Sequence, residues 1–270
     1  MKTTPTHELV KESYADMLKG AQDSASCCTS SPAARLAGYE DAAEQHGEAA
    51  GASFGCGNPL AFAGVQTGDT VLDLGSGAGL DLLIAAEKTG PSGLVIGIDM
   101  TDEMIEAARA NAAKAQCDNI EVRRGLIEDL PVEDSSVDWV ISNCVINLAP
   151  EKAPVFSEIA RVLKPGGHFS ISDIVVDTLP DWIRESAAAW SACVAGAISE
   201  QDYVAGLEAA GLQDVQVIER MVYDASQLRA ILSEDIPGLD LDMSLIESLL
   251  EEHAGAVWSA KFTGRKPGQG

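Results

Sequence analysis

An α/β fold built on a parallel, doubly wound sheet is predicted by three features of the sequence. Short β-rich runs alternate with helical stretches from Thr70 onward, a glycine-rich turn Gly75-Ser76-Gly77-Ala78-Gly79 joins the first run to the helix after it, and an acidic residue, Asp99, ends the second run. Thr70–Leu74 reads as a strand, 81–88 as a helix and 94–98 as a strand. The helix 102–115 is entered through Thr101, with Asp102 and Glu103 at its positive end. Residues 120–123 and 137–142 read as strands, 155–163 as a helix, and 167–174 as a strand after the turn Lys164-Pro165-Gly166-Gly167. Past about Val175 the regularity loosens into a helix-like segment around 182–198, a helix over 200–210 and β-like runs at 215–218 and 257–263. The expected organisation is an N-terminal arm with a cysteine loop over 1–60, a central α/β domain over 61–178, and a smaller C-terminal α+β region over 179–270 from which strands can return to the main sheet.

Composition narrows the function classes. In 270 residues, 46% hydrophobic and 22% charged residues are ordinary for a folded protein with a sizeable core. The net charge of -24 is less ordinary; it repels phosphate backbones and anionic lipid, so neither nucleic acid nor a membrane surface is expected as a partner. Solubility, or adaptation to a salty cytoplasm, accounts for the acidity. No run approaches the ~20 apolar residues of a bilayer span; the longest candidate, 187–198, is interrupted by Ser191. The first ten residues, with Glu8 and no apolar core, do not read as a signal peptide, and a cytoplasmic location is the expectation. Six cysteines in such a chain are expected as free thiols, ligands or redox groups rather than a disulfide framework.

The glycine turn lets the backbone bend sharply and approach a ligand that side chains would block. Asp99 lies 24 residues beyond Gly75, where a carboxylate can accept both hydroxyls of a ribose. The spacing is G-x-G-x-G preceded by Asp73, unlike the G-x-G-x-x-G that seats a pyrophosphate on a helix N-terminus. It resembles class I S-adenosylmethionine methyltransferases, as do the strand 138–142 and the turn Leu163-Lys164-Pro165-Gly166-Gly167. The combination disfavours both a bare strand-to-helix turn and a dinucleotide site.

Doubly wound sheets bind ligands beyond the carboxyl ends of their strands, where strand order reverses. The first and fourth strands flank that point, so Asn143 and Cys144, just after Ser142, are expected to face the glycine turn. Topology alone therefore predicts a thiol beside the ligand. Cys56 sits in Phe54-Gly55-Cys56-Gly57-Asn58-Pro59, where glycines leave the sulfur accessible. Cys193 lies among small residues in Trp190-Ser191-Ala192-Cys193-Val194-Ala195-Gly196-Ala197, and by composition a core role and a functional role are equally open to it. Cys117, in a helix-to-strand connection, reads as a small buried hydrophobe. His7, His46, His168 and His253 show no metal-ligand spacing, and His168, at a strand start, reads as structural.

Over nearly its whole length the chain resembles bacterial-type arsenite S-adenosylmethionine methyltransferases. The segments that carry the resemblance are 54–59, 71–79, Gly97-Ile98-Asp99-Met100-Thr101, 125–131, Ser142-Asn143-Cys144-Val145-Ile146-Asn147-Leu148, Ser172-Asp173-Ile174-Val175 and Cys193-Val194-Ala195-Gly196-Ala197. The resemblance implies a Rossmann-like class I methyltransferase sheet with an N-terminal arm and a smaller C-terminal α+β region. It implies methyl transfer from S-adenosylmethionine to thiol-bound trivalent arsenic, with Cys56, Cys144 and Cys193 as ligands and Cys27 and Cys28 as accessory thiols. On the same basis 61–178 would bind the cofactor through Asp73, Gly75, Gly77, Gly79, Asp99 at the ribose, Met100 on the adenine, Ile127 and Glu128 lining the adenine pocket, and Asn143 along the methionine moiety. The C-terminal region would bind arsenic; arsenite and methylarsenite are the implied substrates, and glutathione or thioredoxin the implied thiol reductant.

The chain departs from the family pattern at Leu82, where members often carry a further cysteine, and at Tyr14-Ala15, where many have Tyr-Gly. A redox relay through the first position is then absent here or uses other thiols. Chemically, three thiolates satisfy soft trivalent arsenic and leave its lone pair pointing outward, so transfer needs aim and desolvation but no general base. Cys144 is expected nearest the methyl donor. Two other readings remain open: a methyltransferase for another small molecule, for which Cys56 and Cys193 are dispensable, and a non-catalytic thiol metal-binding protein.

Overall fold

The computed structural model describes residues 4–23, 49, 58–61, 63–178, 184, 190, 193–222 and 257–268. Cys27, Cys28 and Cys56, and most of the expected helix-like segment 182–198, lie outside them. Among the described residues the chain runs α1 (Pro5–Asp23), β1 (Thr70–Leu74), α2 (Leu80–Thr89), β2 (Leu94–Asp99), α3 (Asp102–Lys114), β3 (Ile120–Arg124), β4 (Val137–Asn143), α4 (Lys152–Val162), β5 (Leu163–Val176), α5 (Glu200–Ala209), β6 (Gln213–Val222) and β7 (Val257–Arg265). Two short 3-10 turns, Pro59–Ala61 and Ile146–Leu148, complete the set.

The strands form one seven-stranded sheet in the order β3-β2-β1-β4-β5-β7-β6. β1 pairs in parallel with β2 and β4, and β4 in parallel with β5, whereas β7 runs antiparallel between β5 and β6. This is the doubly wound α/β sheet expected, with the C-terminal strands completing it. The strands alternate β-branched and aliphatic residues on two covered faces: Val71, Val95 and Ile141 pack on one side, Leu72, Leu74, Ile96, Ile98 and Val140 on the other. Leu82 is buried in the first of these clusters, so the position where family members often carry a cysteine is a core position here. At the amino edge, the Asp138 carboxylate accepts from the Thr70 N–H at 2.9 Å and the Lys164 ammonium at 2.7 Å, joining β1, β4 and β5.

Two local expectations change. Thr101 caps α3 by position but makes no side-chain cap bond; its N–H instead donates to the Asp99 carboxylate at 2.8 Å. Within the expected 182–198 helix, Arg184 and Trp190 are helical, whereas residues 193–198 are turn and irregular chain, because Cys193 adopts φ +59°, which ends a right-handed helix. His168 stacks on Trp139 within the sheet at 4.9 Å between ring centroids, a structural role as expected. Cys117 is a free, half-buried thiol against the core, less enclosed than expected. No helix among the described residues is long and apolar enough to cross a membrane.

Candidate functional site

β1 ends at the point where strand order reverses, and there the chain must turn at once to start α2. Gly75, Gly77 and Gly79 take positive φ, and a Cβ at Gly75 would overlap the Val145 side chain, so only glycine fits. The turn is held from the neighbouring strand: the Ser76 N–H donates to the Ile98 carbonyl and the Gly77 N–H to Asp99 Oδ2, each at 2.9 Å. Asp99 Oδ1 takes the Thr101 N–H. One carboxylate at the tip of β2 thus fixes both the glycine turn and the entry to α3, with lone pairs to spare on each oxygen.

A cavity of about 960 Å³, open solvent included, lies over this turn. Its lining holds Asp73, Gly75, Gly77, Gly79, Asp99, Met100, Ile127, Glu128, Asn143 and Cys144, so every residue expected around a cofactor in the central domain meets in one place. Asp81 also lines it, and the lining contains no lysine or arginine among the described residues. Burial pushes the Asp73 carboxyl well above the ordinary range, and the charges of Asp81 and Asp99 add to this. Burial raises Asp99 as well, opposed by the N–H groups of Thr101 and Gly77 that it accepts. Such a pocket repels a pyrophosphate and favours a cationic ligand with hydroxyls to donate.

Helix α1 lines one side of the cavity with His7, Val10 and Tyr14. His7 and Glu128 are both buried, with Nε2 and Oε1 2.8 Å apart across 121 positions of chain. Sequence reasoning missed His7, Tyr14, Asp81 and Ser76. Ser76 and Asp81 follow from their place in and just after the glycine turn, whereas α1 carries no local signal of where it docks.

Beyond β4 the backbone turns through Cys144, which is 4% exposed and has φ +57°. Its N–H donates to the Ser172 carbonyl of β5 at 2.9 Å. Cys193 is equally buried, has φ +59°, and places its Sγ 2.7 Å from the Cys144 carbonyl and 3.6 Å from the Tyr14 hydroxyl. Five described non-glycine residues have positive φ, but Gln116 and Ser135 lie in exposed turns and Asp214 at an exposed irregularity near the start of β6; the buried pair are these two cysteines. Left-handed backbone at a buried side chain costs about 1 kcal/mol and persists where the surroundings demand it, commonly at a site. Val10, Leu148, Ile174 and Ala197 seal the two sulfurs in an apolar cluster. Burial and the nearby Asp173 push the Cys193 thiol up to about 12, so it stays protonated at neutral pH. Cys144 stands in a disulfide, whereas Cys193 is free. No group of three or more ligating side chains forms a metal site among the described residues.

The family model for a methyltransferase domain matches residues 66–211. An arsenite methyltransferase of Halobacterium salinarum is 42% identical, over 97% of this chain and 67% of its own length. One from Aquipseudomonas alcaligenes is 37% identical, over 79% of this chain and 64% of its own. The chain thus spans about two thirds of the length of these relatives. The crystal structure of an arsenic(III) S-adenosylmethionine methyltransferase from Chlamydomonas reinhardtii superposes with a TM-score of 0.64 at 32% identity, covering 88% of this chain and 74% of that one.

Proposed function

The chain belongs to the class I methyltransferases and, within them, to the arsenite methyltransferase family, and on that premise we propose that it moves the methyl group of S-adenosylmethionine to thiol-bound trivalent arsenic, a detoxification reaction. The observation that carries this is the meeting of Cys144 with Cys193 at the wall of a cavity rich in carboxylates and built over a glycine turn.

The residues present fit the cofactor. Asp73, Asp81, Asp99 and Glu128 suit a ligand that carries a sulfonium, an ammonium and a ribose diol. Asp99 would hold the ribose, Met100 would pack on the adenine beside Ile127 and Glu128, and Gly75, Gly77, Gly79 and Asn143 would border the methionine moiety under Asp73. When bound, S-adenosylmethionine supplies a methyl group on a cationic sulfur, electrophilic without further activation. The protein excludes water with α1 and aims the acceptor.

Arsenite, and after it methylarsenite, would be the substrate, ligated by Cys144, Cys193 and Cys56. The Cys193 thiol is protonated at neutral pH, so its proton would leave with an arsenic-bound hydroxide as water when the sulfur–arsenic bond forms. Cys144 can ligate only when reduced, which supports a thiol co-substrate, glutathione or thioredoxin. Cys27 and Cys28 would serve that exchange. A cytoplasmic place, where thiols are kept reduced, belongs to the same proposal.

The test is to incubate the reduced protein with S-adenosylmethionine, arsenite and excess small thiol, then separate arsenic species by chromatography with element-specific detection. Methylated arsenic is the expected result. Unchanged arsenic despite S-adenosylmethionine binding would shift the acceptor to another small molecule, and turnover of such an acceptor would then survive replacement of Cys56 or Cys193.

A further inference from the structure

We infer that Asp173 is a positioning residue for arsenic capture, because its carboxylate ties the turn that follows Cys144 to helix α5, which directly follows the segment that carries Cys193. The inference rests on the proposed arsenic chemistry and assigns a role to a residue outside the proposed cofactor contacts and sulfur ligands.

Asp173 lies on β5 with no exposed surface. Its Oδ2 accepts the Asn147 N–H at 3.3 Å and the Tyr203 hydroxyl at 3.2 Å, while Oδ1 accepts the N–H of its neighbour Ile174 at 3.0 Å. Asn147 sits in the 3-10 turn just after Cys144 and is fully buried. Its Nδ2 donates to the Ile174 carbonyl at 2.6 Å, and its own carbonyl accepts the Lys152 ammonium at 3.0 Å. Against that same carbonyl packs Gly196, three residues beyond Cys193, so closely that a Cβ there would overlap it. Tyr203 belongs to α5, whose cap Ser199 directly follows the Cys193 segment. The Val176 N–H, bonded to the Ile198 carbonyl at 3.2 Å, adds a second tie between β5 and that segment. The turn after Cys144 and helix α5, which follows the Cys193 segment, are thus both held by one carboxylate of the sheet, with Lys152 nearby as a compensating charge.

A chelate needs its sulfurs pre-set, since an ion that must gather its own ligands binds more weakly. Asp173→Asn leaves one acceptor oxygen in place of two, so the N–H of Asn147 or of Ile174 must face an amide donor, and the site loosens. Tyr203→Phe removes only the hydroxyl and keeps the ring stacked on Phe262, 4.3 Å between centroids. In the full-length protein the arsenite KM should rise about threefold in Tyr203→Phe and about tenfold in Asp173→Asn, with kcat and S-adenosylmethionine affinity within about twofold of wild type. X-ray absorption on arsenite-loaded protein should show the arsenic–sulfur coordination number falling in Asp173→Asn. An unchanged arsenite KM in both variants, or a parallel fall in cofactor affinity and kcat, overturns the inference. If Asp173→Asn does not fold, Tyr203→Phe decides alone. Wild-type protein that produces no methylated arsenic overturns the functional proposal and this inference together; wild-type turnover with unmoved variants overturns only the inference.

Discussion

The glycine-turn side of the cavity and the cysteine side are built by opposite means. Around Gly75 to Asp99 the geometry is almost wholly backbone: three positive-φ glycines, N–H groups aimed at one carbonyl and one carboxylate, all within a single β-α-β unit. Around Cys144 and Cys193 the geometry comes from side chains of distant segments, with α1, β5 and α5 each supplying a partner. A surface set by one local unit forms with that unit. A surface assembled from four segments exists only once the whole sheet has formed, and it can be tuned by residues that never touch the substrate.

The largest expected break in that contrast is Cys144→Ser. Methylation should fall below detection while S-adenosylmethionine affinity, by calorimetry, stays within about twofold, because the carboxylates and the glycine turn are untouched. Asp99→Ala is its mirror. Losing the acceptor that holds the Gly77 and Thr101 N–H groups should weaken cofactor binding about a hundredfold, with arsenite binding by the reduced protein retained. If Cys144→Ser costs cofactor affinity on the scale of Asp99→Ala, the two sides are not separable.

A pH measurement sharpens the contrast further. Burial raises the Asp173 carboxyl from 3.8 to about 7, with the nearby Lys152 the chief opposing influence. A carboxyl whose folded pKa is raised contributes stability that is complete below its unfolded pKa and is lost as pH climbs through the folded one. The stability of wild type relative to Asp173→Asn should therefore decline between about pH 4 and 7, read as the difference in Tm. A pH-independent difference would mean that Asp173 does not titrate as its surroundings require. The smallest effect is expected for His7→Ala, which removes the contact between α1 and Glu128; cofactor release should quicken about threefold in stopped flow, with little change in the final yield of product.

Much of this was legible before the structure, for reasons that differ by residue. Asp73, Gly75, Gly77, Gly79 and Asp99 carry a local signature because each acts through its own backbone or its nearest strand. Cys144 followed from topology, since the residue after the fourth strand must face the turn after the first. Cys193 did not: composition left core and site equally open, and the expected helix there is a turn whose positive φ only packing imposes. His7 was illegible because nothing in the sequence of α1 encodes a partner 121 positions away.

The sequence by itself determined the order of strands and helices, the face each apolar residue buries, the glycine turn with its acidic partner, and hence the anionic cofactor cavity. These are short-range consequences of periodicity, backbone sterics and charge. Only the tertiary structure decided that Cys193 meets Cys144, that α1 lines the cavity, and that Asp173 bonds both Asn147 and Tyr203. Those contacts depend on where long-range packing brings segments that share no local pattern.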